Sequence, residues 1–333
     1  MYRPPFTISA DAINLIAEIS AQIERYAIRM EQNDALLLRK VNRIKTIHSS
    51  LAIEGNNLSE NEVADIIDGK TVIAPLSEIQ EVRNALRAYE AYPTLDAFSS
   101  KDLLKAHGLM MESLSDDAGH FRKGGVGVFS DKGLIHMAPP ANRVPILIED
   151  LFQWLNSSTD HLLIRSSVFH YEFEFIHPFS DGNGRLGRLW QSLILGKLHP
   201  VFEHLPIENM VYNNQQEYYS AIAQSTQRAD SGIFIDFMLR EILNALKRKQ
   251  SNLIVGTNDG TNDGTNDGTN DNLDIIILNS IRDNKNITLD ELALRTNKSR
   301  RTIVRVVSRL QKGNKLRRIG SSRNGYWMVV DGD

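Results

Sequence analysis

Residues 177–188 contain the residue types that a nucleotide site requires. They read His-Pro-Phe-Ser-Asp-Gly-Asn-Gly-Arg-Leu-Gly-Arg, with one base, one carboxylate, a glycine-flanked amide and two arginines. Glycines let the backbone approach phosphate oxygens, and arginine forks bind phosphates through paired, charge-assisted hydrogen bonds. A single carboxylate together with phosphate oxygens is a common way to hold Mg²⁺. The spacing therefore predicts a nucleoside triphosphate site with a base beside it.

The whole string also resembles the signature of the Fic family, His-Pro-Phe-x-Asp-Gly-Asn-Gly-Arg-x-x-Arg, at each of its fixed positions. This resemblance implies a protein adenylyltransferase, which moves AMP from ATP to a Ser, Thr or Tyr hydroxyl of a target protein or of itself. It implies that His177 is the general base and that Asp181 holds Mg²⁺, for which Mn²⁺ can substitute. The phosphates and the reaction would be served by Gly182, Asn183, Gly184, Arg185 and Arg188.

A second segment, residues 43–58, has the pattern of an amphipathic helix that stops at Gly55. Ser50 and Glu54 are four residues apart and share a helix face, which by itself is typical of a solvated surface. Ser-x-x-x-Glu-Gly is, however, similar to the inhibitory helix of the Fic family. The resemblance implies that Glu54 pairs with Arg188 and denies that arginine to the γ-phosphate. It also suggests a second activity, in which Glu54 positions a water that removes AMP from modified targets.

Residues 125–137 predict two short strands around an Asp-Lys-Gly turn. Such a hairpin could simply cover the core. In the Fic family the equivalent hairpin is a flap to whose edge a target segment adds, which here assigns docking to Val126, Val128, Ile135 and His136. Tyr218 and Tyr219 follow the motif and are candidates for an adenine pocket, although tyrosines at such positions are more often part of a core.

Helices are expected to position most of these residues. Apolar residues recur at helical spacing at 162–173 and again after the glycines, so the signature lies between two core helices. His170, on the first of these, is expected to pack against its neighbours. Other helical patterns cover 10–32, 36–53, 59–68 (with a capping box), 77–91, 100–114, 144–155 and 215–249. We expect a mainly α fold: a Fic-type bundle with a β-hairpin flap, in which 1–95 carries the inhibitory helix (about 40–55) and 96–250 is catalytic.

The repeat Gly-Thr-Asn-Asp occurs four times in residues 256–271. Because such a composition cannot build a core, residues 251–271 are predicted to form a flexible linker. The aspartates could instead bind calcium, but one carboxylate in every four residues favours the linker.

Residues 272–330 predict three helices and two strands, the pattern of a small winged helix-turn-helix domain. Residues 272–333 contain 13 basic and 6 acidic side chains, a charge of +7 in a chain whose net charge is −3. A basic winged helix indicates DNA binding, although many such domains bind protein instead. The candidate DNA contacts are Arg300, Arg301, Arg305 and Arg323.

The chain contains no cysteine, which excludes disulfides and thiolate metal sites. It has no apolar run long enough to span a membrane and no signal-peptide pattern, so we expect a cytoplasmic protein. Self-association is plausible because related proteins often dimerise. Two rivals stay open. One is transfer of another nucleotide or of phosphocholine. The other is a DNA-binding regulator whose Fic domain senses nucleotide or modifies only itself.

Overall fold

The computed structural model describes residues 2–31, 35–130, 133–205, 207–256, 274, 277–278, 280–282, 285, 287–296, 300–313, 315–319 and 326–329. The chain divides into two compact units, Met1–Asp259 and Gly260–Asp333. Within the described ranges, no helix combines the length and the apolar content that a membrane crossing requires.

The first unit is built almost entirely of helices. They are α1 (Ala10–Glu31), α2 (Ala35–Ile53), α3 (Glu60–Ile67), α4 (Leu76–Glu90), α5 (Ser100–Met111), α6 (Val144–Ser157), α7 (Leu162–Ile176), α8 (Asn183–Gly196), α9 (Ile207–Asn213), α10 (Gln215–Arg228) and α11 (Gly232–Gly256). The capping box predicted at the start of α3 forms, with Ser59 and Glu62 each binding the other's backbone N–H.

One predicted helix is divided in two. Residues 215–249 were expected to form a single helix, but the backbone turns at Ala229, whose φ of +49° lies in the left-handed region. The break exposes the carboxylate of Asp230, which accepts hydrogen bonds from the backbone N–H (3.1 Å) and the hydroxyl (2.7 Å) of Thr7. The prediction of a single helix was therefore wrong, because the helix ends at Ala229 and the residue that follows binds the N-terminal segment.

Helix α11 extends to Gly256, so residues 251–256 of the predicted linker are helical. The remaining part of that segment, 257–271, lies outside the described residues.

The main core surrounds α7 and α8. Helix α7 is buried on all sides, with polar residues such as Ser166 and His170 inside as well as apolar ones, and its side chains pack with those of α6, α8 and α11. A smaller cluster around Ile47, Leu51 and Val82 joins α2 to α3 and α4. Helix α2 is thereby packed beside the start of α8, to which it also makes direct contact.

Two strands precede α6: β1 (Gly127–Ser130) and β2 (Gly133–Met137). They pair in antiparallel register, with Val128 opposite His136 and an irregularity between Val128 and Phe129. The two residues between the strands, 131 and 132, lie outside the described residues.

The second unit contains α12 (Leu289–Thr296), α13 (Arg300–Lys312), β3 (Leu316–Ile319) and β4 (Tyr326–Val329). The described residues among 274–282 are helical as well. Thr288 caps α12 through a reciprocal pair with Glu291. The two strands are antiparallel, and Ile277, Ile303 and Trp327 belong to a separate apolar core.

Candidate active site

His177 ends helix α7 in a left-handed conformation, with φ +50° and ψ +63°. Such angles are uncommon for a residue with a Cβ, and they turn the following segment back across the helix end. Its Nδ1 lies 3.4 Å from the carbonyl oxygen of Glu174, so Nδ1–H donates there and Nε2 is left as the basic nitrogen. Burial lowers the pKa of His177 to about 4. The imidazole is therefore neutral near pH 7, as a general base must be.

Arg122 stabilises this turn by hydrogen bonds to backbone carbonyl oxygens. The side chain is only 2% exposed and donates to four carbonyl oxygens: His177 (2.7 Å), Gly124 (2.7 Å), Pro139 (2.5 Å) and Ile176 (3.3 Å). The sequence analysis expected no role for Arg122. Its guanidinium joins the end of α7 to both ends of the segment that contains the β1–β2 hairpin, which sets the distance between His177 and the hairpin.

His107, on α5, holds the opposite side of the loop. Its Nδ1 accepts from the backbone N–H of Gly119 (2.9 Å), which requires that Nε2 carry the hydrogen and donate to the Asp181 carbonyl oxygen (3.0 Å). The ring is stacked on Phe179, with centroids 3.7 Å apart and planes within 10°. Burial lowers the pKa of His107, which favours this neutral tautomer. Sequence reasoning missed His107, and only its helical position on the apolar face of α5 could have suggested it.

The side chain of Asn183 closes the loop on itself. Its Oδ1 accepts from the Phe179 N–H and its Nδ2 donates to the Phe179 carbonyl oxygen, both at 2.9 Å. Both polar atoms of this side chain are thus bonded to backbone, and its predicted part in phosphate binding stays a prediction. What faces the site is the start of α8, where the first N–H groups of a helix have no intrahelical acceptor and attract anions.

Arg185 is nearly buried, at 3% exposure, yet only part of its hydrogen-bonding capacity is used. Its Nη2 donates to Asp181 Oδ2 at 3.0 Å, whereas Nε and Nη1 have no hydrogen-bond acceptor among the described residues. Nη1 lies 3.6 Å from a carboxylate oxygen of Glu81. Buried donors without acceptors are costly, so this guanidinium is suited to an incoming anion.

Asp181 is the carboxylate that could hold a metal ion. Its side chain is 62% exposed, and the described residues contain no cluster of three or more His, Cys, Asp or Glu that could bind a metal by itself. One accessible oxygen ligand fits Mg²⁺, which is usually bound by one or two carboxylates, substrate phosphates and waters. A self-sufficient protein metal site is not what these residues build.

Arg188 contacts Ser50 of α2 and Glu54, which follows that helix, directly. Its Nη2 donates to Glu54 Oε1 at 2.8 Å, to the Ser50 carbonyl oxygen at 2.9 Å and to Ser50 Oγ at 3.4 Å. Arg188 is 1% exposed, whereas Glu54 is 29% exposed. Burial alone would lower the pKa of Arg188, but the neighbouring carboxylate of Glu54 more than compensates and raises it. The three residues therefore lie together as the sequence resemblance predicted.

The Glu54 carboxylate lies against the start of α8. A Cβ added at Gly184 would stand 2.4 Å from Glu54 Oε1 and 2.9 Å from Arg188 Nη1. A side chain at position 184 would therefore require the ends of the Glu54 and Arg188 side chains to shift. Gly55, whose φ is +92°, ends the segment in the left-handed conformation that glycine adopts most easily.

Helix α2 itself is anchored on both sides of this contact. Ser49 donates to Asn209 Oδ1 at 3.0 Å, and Gln215 donates to the Ile53 carbonyl oxygen at 3.4 Å. Ile47 and Leu51 are buried. The backbone that carries Glu54 is therefore fixed by polar and apolar contacts that do not involve Arg188.

Glu174 is a buried carboxylate in the middle of the site. Its oxygens lie 3.9 Å from a ring nitrogen of His170 and 3.9 Å from Nδ1 of His177, and its Oε1 has no hydrogen bond among the described residues. Burial raises the pKa of Glu174 to about 8, although Arg188 opposes the shift. His170 is fully buried and bonded to Gln191 and Tyr218, so it packs in the helix interface as expected.

The two tyrosine candidates differ. Tyr218 is 2% exposed and its hydroxyl is bonded to His170 at 3.0 Å, which favours the alternative of a core residue. Tyr219 is half-buried beside Glu54 and Arg188. Burial raises its pKa, and Glu54 adds to this shift whereas Arg188 opposes it.

Of the predicted docking residues, His136 can be described most fully. Its ring stacks on Phe175 at 4.5 Å, and its Nε2 donates to the Phe175 carbonyl oxygen at 2.9 Å. Val128 and Ile135 lie on the two strands, but their side chains are outside the described part. Val126 is half-buried and its carbonyl oxygen accepts from Ala138, so it closes the open end of the hairpin.

In the second unit, the candidate DNA contacts Arg300, Arg301 and Arg305 lie on α13 and are exposed. Arg323 lies outside the described residues. On the same helix Arg309 pairs with Asp274 at 2.5 Å and so holds the unit together.

Comparison with known proteins identifies a family. Residues 97–195 match the model of the Fic/DOC family. A solved structure, the crystal structure of a Fic family protein from Desulfovibrio desulfuricans G20, superimposes with a TM-score of 0.74. It is 39% identical in sequence, and the match covers 100% of this chain and 99% of that chain.

Two curated relatives are also similar. A probable protein adenylyltransferase of Aquifex aeolicus (strain VF5) is 31% identical over 186 residues, which cover 54% of this chain and 54% of the relative. Protein adenylyltransferase Fic of Aedes aegypti is 32% identical over 211 residues, covering 56% of this chain and 40% of the relative. The chain thus spans about half the length, or less, of the curated relatives that it matches.

Proposed function

This chain belongs to the Fic family, and from that premise we propose that it is a protein adenylyltransferase held inactive by its own Glu54. The substrates are ATP and a protein target with a Ser, Thr or Tyr hydroxyl. The observation that carries the proposal is the Glu54–Arg188 contact at 2.8 Å, beside a loop that presents a neutral His177 and the start of α8. The homologues named protein adenylyltransferases support the same reaction.

His177 acts as the base. Its Nε2 takes the proton of the target hydroxyl as that oxygen attacks the α-phosphorus of ATP, and pyrophosphate leaves. The bond formed is P–O to the target, and the bond broken is that between the α-phosphorus and the oxygen bridging to the β-phosphate. The hydrogen bond between Nδ1 and the Glu174 carbonyl keeps the ring in the required tautomer.

The phosphates are bound by the N–H groups at the start of α8 and by the two arginines. Such reactions are catalysed mainly by positioning and by neutralisation of charge. The unused donors of Arg185 and the guanidinium of Arg188 supply that neutralisation. Asp181 is the ligand for Mg²⁺, which when bound neutralises phosphate charge. For Asp181 to do so, its pairing with Arg185 must be exchanged for pairing of Arg185 with phosphate.

Inhibition follows from competition for one guanidinium. Glu54 accepts from Nη2 of Arg188, a donor that the γ-phosphate needs, and its Oε1 lies 2.4 Å from the position of a Cβ added at Gly184. A triphosphate that enters must displace this carboxylate or bind out of line. A water held by Glu54 attacks the phosphorus of an AMP-modified target, the bond between phosphorus and the target oxygen breaks, and AMP leaves as the target hydroxyl takes up a proton, which gives the same residue a role in removing AMP. Equal loss of AMP from a pre-labelled target with wild type and Glu54→Gly would contradict that second role.

The decisive experiment compares ATP labelled at the α-phosphate with ATP labelled at the γ-phosphate. We expect protein-bound label only from the α position, a strong increase with Glu54→Gly, and loss with His177→Ala. Label from the γ position would indicate phosphate transfer. Absence of any label in the folded Glu54→Gly variant would favour a regulator that only senses nucleotide.

For the β1–β2 hairpin we propose target docking by strand addition, which positions a hydroxyl near His177 without reading much sequence. Arg122 supports this proposal because it bonds to the carbonyls of His177 and of Gly124 and Pro139 on either side of the hairpin.

For the second unit we propose a winged helix-turn-helix fold that binds DNA through α13. The support is the +7 charge of residues 272–333 and the exposure of Arg300, Arg301 and Arg305. A gel-shift titration at low salt, where phosphate contacts are strongest, tests it. Absence of a shift with mixed-sequence duplexes under those conditions would contradict it.

A further inference from the structure

A cavity of about 280 Å³ lies between α2, α4 and residues 200–208, on the side of α2 away from the loop of residues 177–183. Its walls include the aromatic rings of Tyr89, Tyr92 and Phe202, and Glu203 and Glu208 contribute carboxylates. Small-molecule sites likewise combine aromatic rings with a few placed polar and charged groups. Neither the proposed reaction nor the proposed inhibition uses this cavity.

Glu208 is the feature that points to a ligand. It is 1% exposed, and its Oε1 accepts from the Tyr89 hydroxyl at 2.6 Å. Its other oxygen, Oε2, is buried and has no hydrogen-bond donor in the described part of the chain. A buried carboxylate oxygen without a donor costs free energy, and the cost is removed if a cation binds there.

The lining selects the kind of cation. Arg43 is the single basic side chain among the cavity-lining residues, and it pairs outside with Glu90 at 3.7 Å. The two carboxylates therefore give the cavity lining a net negative charge. Three aromatic rings beside a carboxylate favour an organic ammonium ion, because the faces of such rings attract cations and their surfaces cover apolar groups.

A chain of hydrogen bonds connects this cavity to the inhibitory contact. Tyr89 donates to Glu208, Ser50 is hydrogen-bonded to Tyr89, and Arg188 donates to Ser50. Each bond in such a chain polarises the next. Burial raises the pKa of Glu208. In its ionised form, which a bound cation would neutralise, Glu208 makes Ser50 a better acceptor and helps to orient Arg188 toward α2, where Glu54 lies.

We propose that this cavity binds a small organic ammonium ligand at Glu208, and that its occupation weakens the hold of Ser50 on Arg188 and favours ATP. The binding site stands independently of the proposed function, whereas the effect on ATP rests on it. By linkage, ATP must then also favour the ammonium ligand.

The first test measures binding of benzylamine, which is cationic near neutral pH, and of benzyl alcohol, its uncharged counterpart, by isothermal titration calorimetry. We expect benzylamine to bind at least roughly tenfold more tightly than the alcohol. Glu208→Gln should abolish that preference, and Glu217→Gln, at an acidic residue on α10 outside the cavity, should keep it. Equal affinity for both compounds, or an unchanged preference in Glu208→Gln, would overturn the site.

A second variant tests the site independently, in case Glu208→Gln does not fold. Thr46→Phe fills the cavity from α2 and leaves Glu208 in place. We expect it to keep the wild-type melting temperature within a few degrees and to lose benzylamine binding. Retained binding in this variant would show that the amine binds elsewhere.

The regulatory part is tested with the same probe. Saturating benzylamine should tighten ATP binding by about fivefold or more in wild type and have no effect in Ser50→Ala, which lacks the hydroxyl that links Tyr89 to Arg188. Benzylamine that binds at Glu208 but leaves ATP affinity unchanged would refute the coupling. If Glu54→Gly itself fails to change ATP affinity, it is the proposed inhibition that fails, and the calorimetric result for the site remains valid.

Discussion

Arg188 Nη2 donates to Glu54 Oε1 at 2.8 Å and to the Ser50 carbonyl oxygen at 2.9 Å, so this nitrogen of the guanidinium is occupied before any nucleotide arrives. We expect ATP-dependent labelling to rise in the order wild type, Glu54→Gln, Glu54→Gly. The amide lacks the charge but still accepts a hydrogen bond, whereas glycine removes both. The full effect should be roughly tenfold to a hundredfold, measured as initial rates with α-labelled ATP.

Two controls define this result. Glu60→Gly, at an exposed acidic position in the first turn of α3, should leave the rate unchanged. Arg188→Lys in the Glu54→Gly background should lose most of the gain, because lysine retains the charge without the paired donors of the guanidinium. A Glu54→Gln rate equal to wild type, together with a high Glu54→Gly rate, would indicate steric blocking instead of competition for charge.

His107 should matter for the rate more than for nucleotide affinity, since it positions the loop through the Asp181 carbonyl. In the Glu54→Gly background we expect His107→Ala to lower kcat by about tenfold to a hundredfold, because small displacements of reacting groups are costly. The Kd for ATP should change much less. The longer amide of His107→Gln can still reach and donate to the Asp181 carbonyl oxygen. The shorter amide of His107→Asn reaches only the Gly119 N–H, from which it accepts. Gln should therefore rescue better than Asn, and equal rates for Gln and Ala would exclude the positioning role.

The pKa of His177, lowered to about 4 by burial, predicts how the base responds to pH. The imidazole is neutral above that value and becomes protonated as the pH falls through it. An NMR titration of the nucleotide-free protein, with His177→Gln to assign the resonance, should give a midpoint near 4. Transfer by Glu54→Gly should accordingly show no loss between pH 8 and pH 6 from this group. A midpoint near the ordinary value of about 6.5 would show that the ring is solvated.

Burial raises the pKa of Glu174 from 4.5 to about 8, and from this shift we expect an unusual pH dependence of stability. Below the pKa of this carboxyl in the unfolded chain, Glu174 is protonated in both states. Between the unfolded and the folded pKa, it ionises in the unfolded chain but stays protonated in the folded protein, so the free energy of unfolding falls as the pH rises. Glu174→Gln removes that penalty. Its melting temperature should match wild type near pH 4.5 and exceed it by about 4 °C or more at pH 8. Equal differences at both pH values would contradict this account.

The sequence allowed a correct prediction of the parts of this protein that depend on local patterns. The helical spacing on both sides of residues 177–183 predicted α7 and α8, and the motif together with the Ser50–Glu54 spacing predicted a contact that the structure shows. The break at Ala229 was missed: Asp-Ser-Gly at 230–232 is a turn pattern that the prediction passed over, and the partner of Asp230 there, Thr7, is more than 200 residues away in the sequence. His107, Arg122 and Glu208 were missed because their roles arise from backbone groups and cavities that only the tertiary fold brings to them.

The anchoring of α2 by Ser49 and Gln215 has a consequence for timing. Because the helix backbone is fixed independently of Arg188, Glu54 can leave the arginine by a change of rotamer alone, at a side chain that is 29% exposed. Rotamer changes of exposed residues take picoseconds to nanoseconds, whereas displacement of a packed helix takes microseconds or longer. The inhibited and competent states should therefore equilibrate within each catalytic cycle. Mixing with ATP should give product without a lag, and the fraction of active molecules should follow the nucleotide concentration at every moment.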